Sequence, residues 1–308
     1  MDFTPHDKPL PPVAMRVYKA LRSRKVFTEE DKALYVSAKR GYDGELKFYH
    51  FLKEVSSRDP LLLHSLSLES NNSKFQIDSL LLNDQSIYLF EVKNFSGDYY
   101  IRNNNWYARS GNKEINNPFI QLKRSESLLR QLLSSLNISY SIIPYVVFIN
   151  SEFTLFNASM NLPLLFHSQL RRFFHRDFFQ RFPPSETDRK IATLLTKQHK
   201  EDVRPDLLPQ YTFDELRKGV KCSGCEGFME LATTKTLKCN FCGVFESIDK
   251  GVLRAIDEFC LLFPQERITT STIAEWCNIL SKRTIRRVLS KFYQRNGNGK
   301  ATYYTFKE

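Results

Sequence analysis

Four of the six cysteines fall into two pairs, Cys222-x2-Cys225 and Cys239-x2-Cys242, with thirteen residues between them. No other feature restricts the fold of its segment as tightly. Each pair has a glycine close by, Gly224 and Gly243, so each can sit on a tight turn and aim two thiolates at one tetrahedral Zn²⁺. A redox dithiol would need one pair only, set in a βαβ pattern that neither pair has. Four protein ligands leave no open coordination position, so such an ion is structural and stabilises a segment too short for a core of its own. Cys260 and Cys277 lie in apolar helical patterns and read as buried thiols.

Charge points to the partner. The chain has 45 Lys and Arg against 34 Asp and Glu in 308 residues, a formal +11. A basic excess favours a polyanion such as nucleic acid, because Lys and Arg release condensed counterions from phosphates. At 42% hydrophobic and 13% aromatic residues the chain has ample material for packed cores, which excludes a disordered chain, and its length fits two or more domains. No apolar run approaches the roughly 18 residues that cross a bilayer, and the Pro-rich start has no apolar signal core. The expectation is a soluble, cytoplasmic protein with no membrane partner.

Patterning divides the chain. Arg16 to Arg40 is a mixed charged stretch expected to form one or two exposed helices with little chemistry. From Gly41 the pattern is helical. Phe75–Leu82 and Ser86–Lys93 read as strands joined near Asn83-Asp84-Gln85, and Ser96–Tyr107 as a second hairpin broken at Asn103-Asn104-Asn105. Asn117 is placed to cap a helix with Pro118 in its first turn, and Ile142–Ile149 is a buried strand. Two helices fill His167–Lys200, and Pro205 and Pro209 mark a linker.

The densest chemistry lies at Ile77-Asp78, twelve residues, then Glu91-Val92-Lys93. Glu91 and Lys93 leave one face of a strand. A hairpin register pairing Asn83 with Ser86 sets Asp78 opposite Glu91, with Cβ atoms about 4.5–5.5 Å apart. Carboxylates that close repel unless a proton or cation intervenes, and Mg²⁺ or Mn²⁺ held by both acids is the natural solution. Lys93 would then orient an acidified water or stabilise charge on a phosphate. The plainer reading is a strand with an edge Glu91–Lys93 ion pair. Tyr99, Tyr100, Trp106 and Tyr107 could stack on bases, although packing on a sheet face is the preferred reading.

Four blocks, Gly41-Tyr42-Asp43-Gly44-Glu45, Phe75–Leu82, Glu91–Gly97 and Asn117–Arg124, come in the order and spacing of the nuclease-related domain family (NERD) of the PD-(D/E)xK nuclease superfamily, which this region resembles. The resemblance implies an α/β, restriction-endonuclease-like core: a mixed sheet flanked by helices. It also implies that Asp78 and Glu91 bind metal, that Lys93 is the catalytic lysine, and that Glu45 and Gln121 complete the pocket from two helices. The superfamily's proline before the aspartate is Ile77 here. Lys123 and Arg124 follow Gln121 and could contact a backbone phosphate.

Lys221–Cys225 and Lys238–Gly243 resemble the knuckles of a zinc ribbon. Gly251–Glu308 then has ten Lys or Arg against five Asp or Glu. A helix over Val252–Phe263, a second capped by Thr270 or Ser271, a third capped by Ser281, and a strand pair around Asn296-Gly297-Asn298-Gly299 resemble a winged helix, in which the third helix would present Lys282, Arg283, Arg286, Arg287 and Lys291 to nucleic acid. The expected organisation is an N-terminal extension (1–37), a nuclease-like domain (38–156), a helical segment and linker (157–215), a zinc ribbon (216–248) and a mainly α winged-helix-like module (249–308). The expected function is Mg²⁺- or Mn²⁺-dependent hydrolysis of phosphodiester bonds, DNA being the favoured substrate, with a structural Zn²⁺. The alternative is an inactive nucleic-acid-binding or regulatory adaptor.

Overall fold

The computed structural model describes residues 8–56, 60–83, 85–177, 184–200 and 208–307; Asp84 and Pro205 lie outside them. Two compact units divide the chain: Met1–Val13 with Val36–Val203, and Ala14–Tyr35 with Arg204–Glu308. Helix α1 (Val13–Leu21) is followed by α2 (Glu29–Val55), and the chain passes from one unit to the other within α2.

The first unit is built on a five-stranded sheet. Strands β1 (Leu62–Ser70), β2 (Ser73–Asn83) and β3 (Ser86–Lys93) form an antiparallel meander, with Asn83 paired to Ser86 as the register predicts. A second sheet follows, formed by β4 (Gly97–Arg102), β5 (Asn105–Ala108), β6 (Lys113–Ile115) and, parallel to β4, β8 (Phe153–Phe156). Helix α3 (Pro118–Ser135) is capped by Asn117, whose Oδ1 accepts the Phe119 N–H at 3.0 Å, with Pro118 at its first position. Strands β7 (Ser141–Phe148) and β9 (Leu164–Phe166) then extend the first sheet in parallel, giving the order β1-β2-β3-β7-β9. Helices α4 (His167–Asp177) and α5 (Glu186–Lys197) complete the unit.

Both faces of this mixed sheet are covered. On one, Leu63, Leu80, Leu82, Ile87 and Leu89 share a core with Leu122, Leu129 and Leu133 of α3 and Trp106 of β5. On the other, Leu62, Leu81, Phe90 and Val147 pack with Phe48 and Leu52 of α2 and Phe174 of α4. Trp106 is therefore core rather than a base-stacking surface, and Tyr99 stacks on Phe95 at 5.3 Å. Tyr100 and Tyr107 stack on each other at 5.2 Å.

Alternation along β2 breaks at one place. Phe75 and Ile77 belong to the same core as Leu80 and Leu82, yet Ile77 and Leu80 are three residues apart and should face opposite ways. Strand β1 makes the matching switch between Leu63 and Leu66. At the switch stands Ser65, in the left-handed region with φ 49°. The ladder passes from His64↔Ser79 to Leu66↔Ile77 without a Ser65–Asp78 pair, and the β2–β3 ladder starts at Ser79↔Phe90. Asp78 thus sits where the backbone pairing of β2 is interrupted on both sides.

The second unit joins α1 to a three-stranded sheet, β10 (Met229–Leu231), β11 (Thr236–Cys239) and β12 (Phe245–Ser247), then to α6 (Ile248–Leu262), α7 (Thr270–Cys277), α8 (Lys282–Phe292) and the hairpin β13 (Tyr293–Asn296) and β14 (Tyr303–Phe306). Far from being exposed, α1 buries Val17, Tyr18, Ala20 and Leu21. Behind it Arg24 has a fully buried side chain that donates to the Arg217 and Gly219 carbonyls, pairs with Glu258 and lies 3.9 Å from the Trp276 ring centroid. Lys221, beside the first cysteine, reaches the same Glu258 at 3.2 Å. Buried charge is tolerable only when paired and hydrogen-bonded, and this cluster meets that condition. Arg24→Ala leaves Glu258 with Lys221 alone, takes the donor from the Arg217 and Gly219 carbonyls and opens a gap against Trp276. We expect it to cost about 3 kcal/mol in urea unfolding, against less than about 1 kcal/mol for the exposed Arg287→Ala; equal losses would contradict the assignment.

Candidate active site and metal centre

The break in β2 is where the acids gather. Asp78, Glu91 and Glu45 are all buried, at 8%, 3% and 9% exposure. Since the β2–β3 backbone ladder stops at Ser79, the Val92 N–H has no carbonyl partner there, and the Asp78 Oδ2 accepts it at 2.8 Å. Glu91 binds the Lys93 ammonium at 2.5 Å, and Lys93 also donates to Gln121 Oε1 of α3 at 3.1 Å. Glu45 arrives from the opposite side of the sheet, on the face of α2 that also buries Phe48 and Leu52. Its Oε2 accepts the hydroxyl of Ser65, the left-handed residue at the switch, at 2.8 Å.

All five residues of the expected site, Glu45, Asp78, Glu91, Lys93 and Gln121, therefore meet around one end of β2 and β3. Sequence reasoning missed Ser65, whose role rests on a backbone twist that composition does not encode. Glycine makes the approach of α2 possible: a Cβ on Gly44 would lie 2.7 Å from the Asn94 Cβ, while Gly41 has open space. Asn94 follows Lys93 directly and donates to the Arg40 carbonyl of α2 at 3.0 Å, so Gly44 and Asn94 together hold Glu45 against the sheet.

The electrostatics are lopsided. Three buried carboxylates face one ammonium, a formal −2 when all are ionised. Burial, with Asp78 and then Glu91 adding to it, pushes the Glu45 carboxyl up to about 8 despite the opposing Ser65 hydrogen bond and Lys93. Burial disfavours the Lys93 ammonium, but Glu91, Asp78 and Glu45 outweigh it and hold its pKa above the ordinary lysine value. A surplus of negative charge among hard oxygen donors, one unit while Glu45 holds its proton and two once it is lost, is the environment that a divalent cation neutralises. Asp78 and Glu91 carry oxygen donors of the kind such an ion takes.

The cysteines form a separate centre. Their four Sγ atoms lie within 4.8 Å of one another, with Cys222 to Cys242 at 3.6 Å and Cys225 to Cys239 at 3.5 Å. A disulfide is about 2.05 Å long, whereas the edge of a tetrahedron with Zn–S of about 2.3 Å is about 3.8 Å. The sulfurs are spaced for a metal. Backbone N–H groups assist: Gly224 donates to Cys222 Sγ at 3.3 Å, and the turn Gly243 N–H to Cys239 O closes at 2.9 Å with Gly243 at φ 75°. Cys277 is buried and Cys260 half-buried.

Of the basic residues singled out from sequence, Arg124 donates to the Lys74 carbonyl at 2.9 Å, tying α3 to β2, while Lys123 is exposed. Ser281 caps α8, whose buried Ile285, Val288 and Leu289 leave Lys282, Arg283 and Arg286 exposed. Arg287 and Lys291 instead reach Asp249 of α6 at 2.5 and 3.1 Å. The cap of α7 is Thr269, one residue before the expected Thr270.

With the geometry in place, the comparisons bear on the first centre. The family model of the nuclease-related domain, NERD, matches residues 40–149, the stretch that contains Glu45, Asp78, Glu91, Lys93 and Gln121. No curated protein and no solved structure matches the chain. Among the described residues no helix is long and apolar enough to cross a membrane.

Two outcomes follow. Because Glu45 keeps its proton in the folded state between its ordinary value near 4.5 and about 8 while the unfolded chain has lost it, the metal-free protein loses stability as pH rises across that window. Glu45→Gln should therefore be more stable than wild type by about 1–3 kcal/mol at pH 8.5, with the gap closing towards pH 4.5; a gap that does not change with pH would refute the shift. For the second centre, elemental analysis should find one zinc per chain. Its removal by a chelator should expose the thiols and lower the melting temperature, while an unchanged melt after complete removal would disprove a structural ion.

Proposed function

We propose that the chain is a metal-dependent nuclease that hydrolyses phosphodiester bonds of nucleic acid, DNA being the favoured substrate. The carrying observation is the surplus of buried carboxylate around a single lysine, inside a stretch matching a nuclease-related domain. Asp78 and Glu91 would hold Mg²⁺ or Mn²⁺. When bound, that ion supplies Lewis acidity and a water acidified towards neutral pH.

The chain's own residues do the rest. Lys93, kept cationic by the acids around it, offers its ammonium to the attacking water or to charge growing on the phosphate. Glu91 and Gln121 fix the direction of that ammonium by taking two of its three hydrogens. The Val92 N–H holds Asp78 in a single orientation, and the Ser65 hydroxyl does the same for Glu45. Glu45, largely protonated near neutrality, limits repulsion among the three acids and completes the wall of the pocket.

In this reading the four-cysteine segment is a zinc ribbon, and α6, α7, α8 with the β13–β14 hairpin act as a winged-helix-like module that binds substrate. The exposed Lys282, Arg283 and Arg286 supply phosphate contacts. Arg287 and Lys291 can join them, since exposed ion pairs such as theirs with Asp249 are worth little and exchange readily. Lys123 would contribute from α3.

The test is cleavage of labelled linear, circular and single-stranded DNA and RNA with Mg²⁺, Mn²⁺ or chelator. Lys93→Ala and Glu91→Ala should each lower the rate at least 100-fold while binding without added Mg²⁺ or Mn²⁺ stays within about threefold. Binding without cleavage by wild type, across these ions and substrates, would replace the enzyme with an adaptor.

A further inference from the structure

Away from the carboxylate cluster, a cleft of about 700 Å³ opens in the second unit between the start of α7, the outer side of α8 and the β13–β14 hairpin. Its walls include Thr270 and Ser271 of α7, Arg286 and Ser290 of α8, Arg295 of β13, and Thr302 ahead of β14. Among the described residues no carboxylate lines it. Arg286 and Arg295 have no acidic or hydrogen-bonding side-chain partner among the described residues. That sets them apart from Arg287 and Lys291, which are turned to Asp249, and from Arg254, which pairs with Glu246.

The cleft is held by backbone. The Tyr304 N–H donates to the Ile268 carbonyl at 2.9 Å, which fastens the hairpin to the residues just before α7. Thr269 caps α7 by accepting the Thr272 N–H at 3.1 Å. The cap satisfies one first-turn donor, and the N–H groups of Thr270 and Ser271 have no intrahelical acceptor. Two guanidinium groups, several hydroxyls and the positive end of a helix thus converge on one space.

We infer that this cleft binds the phosphodiester backbone of a nucleic-acid strand, with Arg286 and Arg295 as paired phosphate clamps and the first turn of α7 as a third contact. This rests on the nucleic-acid reading above and adds to it a sequence-independent anchor that includes Arg295 and α7. Pockets for small organic ligands are mostly apolar with few polar groups, and this cleft has the opposite lining. Its volume exceeds what one phosphate ion needs, and Arg283 and Lys282, three and four residues before Arg286 on α8, are exposed and sit on the Arg286 side of the helix, where a polymer could run on.

The experiment measures binding alone. Full-length, zinc-loaded protein carrying Lys93→Ala is titrated, without added Mg²⁺ or Mn²⁺, against fluorescent 20-nucleotide single strands and 20-base-pair duplexes of two unrelated sequences, over a range of KCl. Added to that background, Arg286→Ala and Arg295→Ala should each weaken binding roughly tenfold on both sequences, and each should lower the slope of log K against log salt by about one. Arg286→Lys should keep the slope, and Lys190→Ala, an equal charge loss in the other unit, should change neither quantity. An unchanged slope in the double arginine variant would overturn the inference. So would displacement of the strand by millimolar inorganic phosphate at constant ionic strength, because that would make the cleft a site for the free ion. Cleavage by the Lys93-containing protein is scored separately, so loss of the anchor and loss of the nuclease reading give different results.

Discussion

One constraint organises the first unit: three carboxylates are taken out of water beside a single ammonium. Isolated, each buried charge would cost several kcal/mol, so the surrounding structure is arranged to satisfy oxygens one at a time. The Val92 N–H goes to Asp78, the Lys93 ammonium to Glu91, and the Ser65 hydroxyl to Glu45. Those donors exist because the β-ladder is interrupted. Had Asp78 and Ser65 continued the regular pairing, Val92 would have lost its reason to bond a side chain, and Ser65 would have no cause to adopt a positive φ. Strain of this kind persists only where neighbouring structure enforces it. Here the enforcing elements are α2, brought close by Gly44, and α3, which supplies Gln121.

The second unit solves a different problem with related means. Its four-cysteine segment has three short strands, and it is backed by a charge network in which Glu258 pairs with both Arg24 and Lys221, while Lys221 also reaches Glu226 at 3.8 Å. Arg254 adds a further pairing with Glu246 of β12 and donates to the Lys221 carbonyl. Gly251 lets α6 lie against Leu237 of β11, where a Cβ would come within 2.6 Å. Ion pairs, close helix packing and a four-cysteine cluster spaced for a metal share the load that a larger hydrophobic core would otherwise carry alone.

Much of this was legible in the chain. The Asn83–Ser86 register follows from a two-residue connection between the strands and brings Asp78 to the neighbourhood of Glu91, but the ladder ends at Ser79–Phe90, and the Asp78 side chain bonds the Val92 N–H instead of forming the expected pair with Glu91. Asn117, Ser281 and the cysteine pairs announce themselves by local chemistry. Glu45 and Gln121 carry no such signal, since a glutamate or glutamine on a helix is ordinary; only resemblance to a family points to them. Least legible were interactions between residues far apart in sequence. Arg24 reads as one charge in a charged stretch, yet its partners are Arg217, Gly219 and Glu258. Arg287 and Lys291 look like their neighbours on α8 until Asp249 is seen to face them. A run of basic residues does not reveal which members are already paired.

The most direct test of the central claim is calorimetric titration of zinc-loaded protein with Mn²⁺ at pH 7, run in two buffers of different ionisation heat. A pocket in which a protonated Glu45 leaves Asp78 and Glu91 one negative charge in excess of Lys93 should take one ion per chain and release the Glu45 proton as it does so, and Asp78→Asn with Glu91→Gln should abolish both effects. Absence of binding to wild type, or the same binding when both acids are neutralised, would contradict the account.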